Sequence, residues 1–66
     1  MILTIQCPSA KKLREGVWLA SVMMGVDTEI HADNTFDLAI NDDKKIRAIL
    51  NKCDGKVIGQ VSHAIV

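Results

Sequence analysis

The sequence predicts an α+β domain with the element order βαββαβ, a two-layer sandwich in which two helices cover one face of a four-stranded, mainly antiparallel sheet. Two patterns of apolar residues lead to this prediction. Residues 28–40 alternate with a period of two, as strands do, whereas residues 46–53 repeat at the three- and four-residue spacing of a helix. With 66 residues, of which 48% are hydrophobic, the chain can form one thin core, so residues 1–66 are expected to be a single domain.

The first strand and the first helix are separated by a proline. Residues 2–7 are mostly apolar or β-branched, and Pro8 ends the strand because it lacks an amide hydrogen for the sheet. Ser9 suits a helix N-cap, and Gly25 suits the left-handed residue at which many helices end. The helix between them has an apolar stripe that should face the core: Leu13, Gly16, Val17, Ala20 and Met24.

The alternating residues 28–40 predict a hairpin. A three-residue loop of Asp33, Asn34 and Thr35 would pair Ile30 with Leu38 and keep apolar side chains on one face. Asn34 suits such a turn because it tolerates a positive φ angle. The same register places His31 directly opposite Asp37, where a carboxylate would favour the charged imidazole.

A second helix and a last strand follow. Asn41 is the expected N-cap, and Asp42 and Asp43 in the first turn would complement the helix dipole. After a turn at residues 54–55, residues 56–66 read as the fourth strand. The core face of this helix is expected to carry Ile46, Ile49, Leu50 and Cys53.

The alternation assigns residues of the strands to two faces of the sheet. The face under the helices is expected to carry Leu3, Ile5, Ile30, Phe36, Leu38, Val57 and Val61. The open face is expected to be polar and somewhat acidic, with Thr4, Gln6, Glu29, His31, Asp37, Gln60 and Ser62.

In layout, this element order resembles both ferredoxin-like domains and the phosphocarrier proteins of sugar transport. The carrier resemblance would require a histidine in the loop that opens the first helix, where this chain has Cys7, Pro8 and Ser9. Metal-carrying ferredoxin-like domains have a CxxC pair in that loop, where this chain has Cys7 alone. The resemblance therefore implies the fold and neither activity.

Composition narrows the function classes. The formal net charge is zero, which gives little long-range attraction to nucleic acid or to an anionic membrane. Cys7 and Cys53 read as buried free thiols of a cytoplasmic chain, and four isolated candidate zinc ligands, Cys7, Cys53, His31 and His63, give no spacing signal. We expect no enzyme activity, no cofactor, no metal and no membrane association.

The first helix points to a protein partner instead. Beyond its core stripe it carries Trp18, Leu19, Val22 and Met23, more apolar surface than a two-layer domain can cover. Alternatively, Trp18 folds over the rim of the thin core. Between residues 27 and 43 the chain has six acidic residues and no Lys or Arg, so Glu29, Asp33 and Asp37 could complement a basic partner.

These features suggest a small regulator or inhibitor, antitoxin-like in class, that binds a partner protein and forms a homodimer through the first helix or the last strand. The alternative from another class is a dimeric nucleic-acid-binding regulator. It would use Lys11, Lys12, Arg14 and the lysines of the second helix.

Overall fold

A computed structural model describes residues 2–61, with side chains described for residues 2–60. Residues 62–66 of the expected last strand, with Ser62 and His63, lie outside the described residues. The elements follow the predicted βαββαβ order, with a π-helical segment extending the first helix. Their bounds are β1 Ile2–Gln6, α1 Ala10–Trp18, the π segment Leu19–Met23, β2 Thr28–Ile30, β3 Thr35–Ala39, α2 Asp43–Cys53 and β4 Lys56–Val61.

The strands form one antiparallel sheet in the order β2-β3-β1-β4. β1 and β3 are central, so the β1–α1–β2 crossover spans the strand between its two ends, which is the split βαβ topology of ferredoxin-like domains. In β1 the side chains alternate between buried and half-buried positions because only one face of the sheet is covered by the helices. The predicted α+β fold is confirmed.

The ends of the helices follow from local chemistry. Ser9 caps α1, as predicted, by accepting a hydrogen bond from the backbone amide of Lys12 at 3.2 Å. The helical stretch ends before Gly25, which has a φ angle of 65°. The predicted cap of α2 is wrong by one residue, because the Asp42 carboxylate, and not Asn41, caps α2 through the amides of Lys44 and Lys45.

The hairpin has a different register from the predicted one. Ile30 pairs with Phe36 instead of Leu38, since the tight turn has Asp33 and Asn34 at its centre, both with positive φ angles near 60°. The amide of Thr35 donates to the carbonyl of Ala32, so the loop begins at residue 32 and Thr35 belongs to β3. The shift is of two residues, so the faces are unchanged. Glu29, and not His31, lies directly opposite Asp37.

The last strand contains a bulge that the sequence analysis missed. Ile5 pairs with Val57 but Thr4 pairs with Gly59, so Ile58 is an extra residue on β4. Beyond the bulge the pairing reverses the predicted faces, and Gln60, expected on the open face, pairs with Leu3 of the covered face. Both edge strands are also less covered than expected: Ile30 is 56% exposed and Val57 is 39% exposed.

The core lies between the helices and the covered face of β1 and β3. Its buried hydrophobic residues are Leu3, Ile5, Cys7, Leu13, Ala20, Phe36, Leu38, Ile40, Ile49 and Cys53. Two glycines allow the close packing around Cys53. A Cβ atom built on Gly16 would lie 2.8 Å from Cys53 Cβ, and one built on Gly55 would lie 2.7 Å from Cys53 Sγ. Any side chain at Gly16 would overlap Cys53, and any side chain at Gly55 would overlap Ile5, whose Cγ2 would lie 2.6 Å away, as well as Cys53.

Candidate functional site

The end of the first helix has three large hydrophobic side chains that are exposed to solvent. Trp18 is 52% exposed, and Val22 and Met23 are each 63% exposed. A monomeric domain gains nothing from leaving three such side chains in water, and grouped apolar exposure is typical of an interaction surface. We call Trp18, Val22 and Met23 the apolar anchor.

The π segment brings the apolar anchor together. A π-helix closes its hydrogen bonds at i→i+5, as the amide of Met24 does on the carbonyl of Leu19 at 3.1 Å. Positions four and five residues after Trp18 therefore both lie near it in the next turn, whereas an α-helix would carry Met23 to another side. The α-helical spacing used to interpret the sequence does not contain this information.

The fourth expected anchor residue has a different position. Leu19 is half-buried and packs against the core. Ser21, next to the anchor, donates from its hydroxyl to the carbonyl of Val17 at 2.6 Å, so its polar group is used within the helix. The anchor is therefore an apolar surface of three exposed residues, and Leu19 is part of the packing around the core.

Beside Trp18 lies a groove between the outer surfaces of α1 and α2, with a volume of about 560 Å³. Lys11, Arg14 and Trp18 reach it from one face of α1, since they are spaced at i, i+3 and i+7. The complete lining, which we call the basic groove, is Lys11, Arg14, Glu15, Trp18 and Lys52.

The cations of the basic groove are not neutralised within the described residues. Lys11, Arg14 and Lys52 have no ion pair there, whereas the neighbouring Lys12 pairs with Glu15 at 3.8 Å and with Asp54 at 3.3 Å. The one carboxylate of the groove, Glu15, is thus already shared with Lys12. The groove presents a local positive charge on a chain whose formal net charge is zero.

The acidic hairpin residues lie on the other side of the sheet. Thr4 Oγ1 donates to Asp37 Oδ1 at 2.7 Å, and His31 Nε2 lies 2.8 Å from Asp37 Oδ2. These hydrogen bonds lower the pKa of Asp37, and the bond to Asp37 raises the pKa of His31. Asp33 is in the turn, where its carbonyl accepts a hydrogen bond from Gln6 Nε2.

The two candidate surfaces are therefore separate. The hydrogen bond from Thr4 places Asp37 on the open face, while α1 covers the opposite face of the same sheet. A small partner seated on Trp18 cannot reach Glu29, Asp33 or Asp37 at the same time. The structure does not join the two halves of the site expected from the sequence.

Glu29, His31 and Asp37 form a group of side chains that could hold a metal ion, since their ligand atoms all lie within 4.8 Å of one another. A shallow concavity of about 170 Å³, lined in part by Glu29 and Asp37, lies beside them. The sequence analysis grouped His31 with the two cysteines instead. Those cysteines are in the core on the other side of the sheet, so His31 does not join them.

The two thiols come together in the core. Burial, with a contribution from the adjacent Cys53, raises the pKa of Cys7 to about 12. A thiol with this pKa is protonated at neutral pH and is a poor nucleophile. Cys7 and Cys53 are free, as predicted, and they fill space in the core.

Comparison with protein-family models, with curated proteins and with solved structures found no match for this chain. Within residues 2–61, no helix has both the length and the apolar character that crossing a membrane requires.

Proposed function

We propose that this chain is a small regulator or inhibitor that binds a partner protein non-covalently through the apolar anchor. One observation carries the proposal: Trp18, Val22 and Met23 are all more than half exposed, and their spacing of i, i+4 and i+5 across the π segment puts them at neighbouring positions at the end of the first helix. Tryptophan is enriched among residues that dominate binding energy, and methionine adapts its shape to irregular partner surfaces.

The apolar anchor can supply part of the free energy of specific binding. Covering an exposed large apolar side chain contributes roughly 1–3 kcal/mol, so three of them supply a useful share of a micromolar affinity of about 8 kcal/mol. The surrounding polar side chains of α1 would form the rim that excludes water from such a contact.

The chemistry of the described residues also favours binding over catalysis. The most nucleophilic side chain type in the chain, cysteine, is buried and holds its proton, and His31 lies on the opposite side of the sheet from it. Free thiols are typical of a reducing compartment, so we propose a cytoplasmic site of action.

Self-association belongs to the same proposal. The apolar anchor is a better surface for a homodimer than the last strand, because the bulge at Ile58 interrupts the regular edge that strand pairing requires. A dimer formed through α1 would cover Trp18 in both copies.

A pull-down with matched variants tests the proposal. Tagged chains carrying Trp18→Ala or the double change Val22→Ser with Met23→Ser are compared with Ile30→Ser, which alters an equally exposed apolar side chain of strand β2. We expect the anchor variants to lose a stoichiometric protein partner, or self-association measured by sedimentation, with affinity falling about thirtyfold or more.

Circular dichroism and thermal unfolding control for folding in each variant. Retention of the same partner by both anchor variants, with loss in Ile30→Ser, would transfer the binding site to β2 and contradict the proposal. Unfolding of Trp18→Ala would return that residue to the core, and the Val22 and Met23 double variant would then decide the outcome.

A further inference from the structure

We propose that the partner segment seated on the apolar anchor is acidic: a protein segment in which Asp or Glu side chains flank an apolar residue. The apolar residue would pack on Trp18, and the carboxylates would pair with Lys11, Arg14 and Lys52 of the basic groove. This inference rests on the proposed function, and it replaces the expectation of a basic partner for this face of the molecule.

The apolar anchor and the basic groove are adjacent surfaces that share one residue. Trp18 belongs to both surfaces, because it lines the basic groove and also begins the apolar anchor. A segment that covers the anchor must therefore lie beside Arg14, one helical turn before Trp18, and beside Lys52 across the groove. A partner segment that contacts the anchor is therefore also close to the cations of the basic groove.

The cations of the basic groove favour a partner segment with negative charge. Three cations line the groove without an ion pair in the described part of the chain, and the single carboxylate, Glu15, is shared with Lys12. A basic partner here would be repelled, and a neutral partner would remove water from the cations without replacing its hydrogen bonds. Carboxylates restore those bonds, and Arg14 can donate two parallel hydrogen bonds to one carboxylate.

The exposed apolar side chains beyond Trp18 favour a protein segment over a single-stranded nucleic acid. A single strand would also place phosphates on Lys and Arg and stack a base on Trp18. Val22 and Met23, however, continue the surface beyond Trp18 as exposed apolar side chains, which a phosphate backbone would leave uncovered. Within residues 2–60 the other aromatic residue, Phe36, is fully buried, so no second stacking platform exists there. The combination fits an acidic amphipathic protein segment.

The test uses a display library of short random peptides selected on the tagged chain. We expect the selected peptides to combine an aromatic or aliphatic residue with neighbouring Asp or Glu. Their affinity should fall roughly tenfold or more in the triple variant Lys11→Glu, Arg14→Glu and Lys52→Glu. The triple Gln variant at the same positions should show a smaller loss, because it removes attraction without adding repulsion.

A matched control has the same change of charge elsewhere. Lys44→Glu, Arg47→Glu and Lys56→Glu alter three exposed cations that do not line the groove. We expect this variant to bind the selected peptides within a factor of about three of the unmodified chain, apart from long-range charge effects that added salt removes. Circular dichroism establishes that all variants are folded.

The outcomes separate the inference from the proposed function. Peptides that need Trp18, Val22 and Met23 but bind the groove triple and the control triple equally would overturn the acidic partner and leave the regulator proposal standing. Selected peptides insensitive to the anchor variants would overturn both. Binding of an oligothymidylate probe at physiological salt, lost in the groove triple and not in the control, would overturn the acidic segment in favour of single-stranded nucleic acid.

Discussion

The two faces of the central strands differ in almost every respect. On the helix-covered face, Leu3, Ile5, Phe36 and Leu38 are buried, and no polar side chain is buried within the described residues. On the open face, Thr4, His31 and Asp37 form a hydrogen-bonded group that remains accessible to solvent. Apolar burial contributes most of the folding free energy of a small domain, whereas exposed ion pairs contribute little.

The difference indicates that one face of the sheet stabilises the fold and that other surfaces are available for binding. The covered face holds the chain together, and substitutions there should unfold it. The open face and the outer surface of the helices are left to bind other molecules, and substitutions there should change binding without unfolding. Four measurements test this division between a face that stabilises the fold and surfaces that bind, and the first is expected to show the largest effect.

The largest effect should come from neighbouring residues of β3. Phe36→Ala removes a fully buried aromatic ring from the covered face and should cost about 3–5 kcal/mol, enough to unfold much of a domain of this size. Asp37→Asn on the open face should produce a much smaller loss. Urea denaturation followed by circular dichroism measures both, and comparable losses for the two variants would contradict the division of the sheet faces.

The rate at which Cys7 is alkylated should show how rarely the core opens to solvent. A pKa of about 12, in place of the ordinary 9.0, lowers the thiolate fraction at neutral pH about a thousandfold. Iodoacetamide should therefore label Cys7 at least that much more slowly in the folded chain than in denaturant, as read by peptide mass spectrometry. Rapid labelling of the native chain would mean that the core opens readily.

Gly16→Ala should destabilise the chain even though alanine is the better helix former. The propensity gain is about 1 kcal/mol, but the new Cβ would lie 2.8 Å from Cys53 Cβ, and overpacking of this kind costs about 1–3 kcal/mol. We expect a lower midpoint of thermal unfolding. An increased midpoint would show that α1 and α2 can separate slightly without loss, and that their contact is looser than described.

The smallest effect concerns pH and the pair of His31 and Asp37. The pKa of His31 is raised above 6.5, so its contribution is present below that value and is lost as the pH rises through the folded pKa. The pKa of Asp37 is lowered below 3.8, so its contribution is present above that value and is lost as the pH falls through the folded pKa. Between the two folded pKa values, His31 is protonated and Asp37 is ionised, so the two side chains carry opposite charges.

The unfolding midpoint of the unmodified chain should exceed that of His31→Gln most clearly near about pH 5, with the difference shrinking towards about pH 8. NMR titration of the His31 imidazole measures its pKa in the folded chain directly. A His31 titration midpoint at or below 6.5 would show that the contact with Asp37 does not persist in solution.

The parts of the fold that the sequence predicted depend on local patterns. The alternation of Phe36 and Leu38 against Asp37 predicted the faces of β3, and Ser9 and Gly25 predicted both ends of the helical stretch. The face assignment survived an error in the hairpin register, because a shift of two residues preserves the side-chain period.

The parts that the sequence did not predict depend on contacts between distant residues. The π segment and the bulge at Ile58 each change the period inside an element. A glycine inside a strand pattern, here Gly59, is a signal for a bulge, but the sequence pattern does not indicate the π segment. The grouping of Lys52 with Lys11 and Arg14 requires the relative position of two helices. Trp18, Val22 and Met23 could be selected from the sequence as surplus apolar residues, but the cations around Trp18 could not.

The packing around Cys53 has a consequence for how this sequence can vary. A Cβ atom at Gly16 would lie 2.8 Å from Cys53 Cβ, and one at Gly55 would lie 2.6 Å from Ile5 Cγ2 and 2.7 Å from Cys53 Sγ, so neither position has room for a side chain. Because every residue except glycine has a Cβ atom, another side chain at residue 53 would not make room for alanine at residue 16, and alanine at residue 55 would still meet Ile5. In chains that share this fold by descent, glycine should therefore persist at positions 16 and 55 even where residue 53 changes.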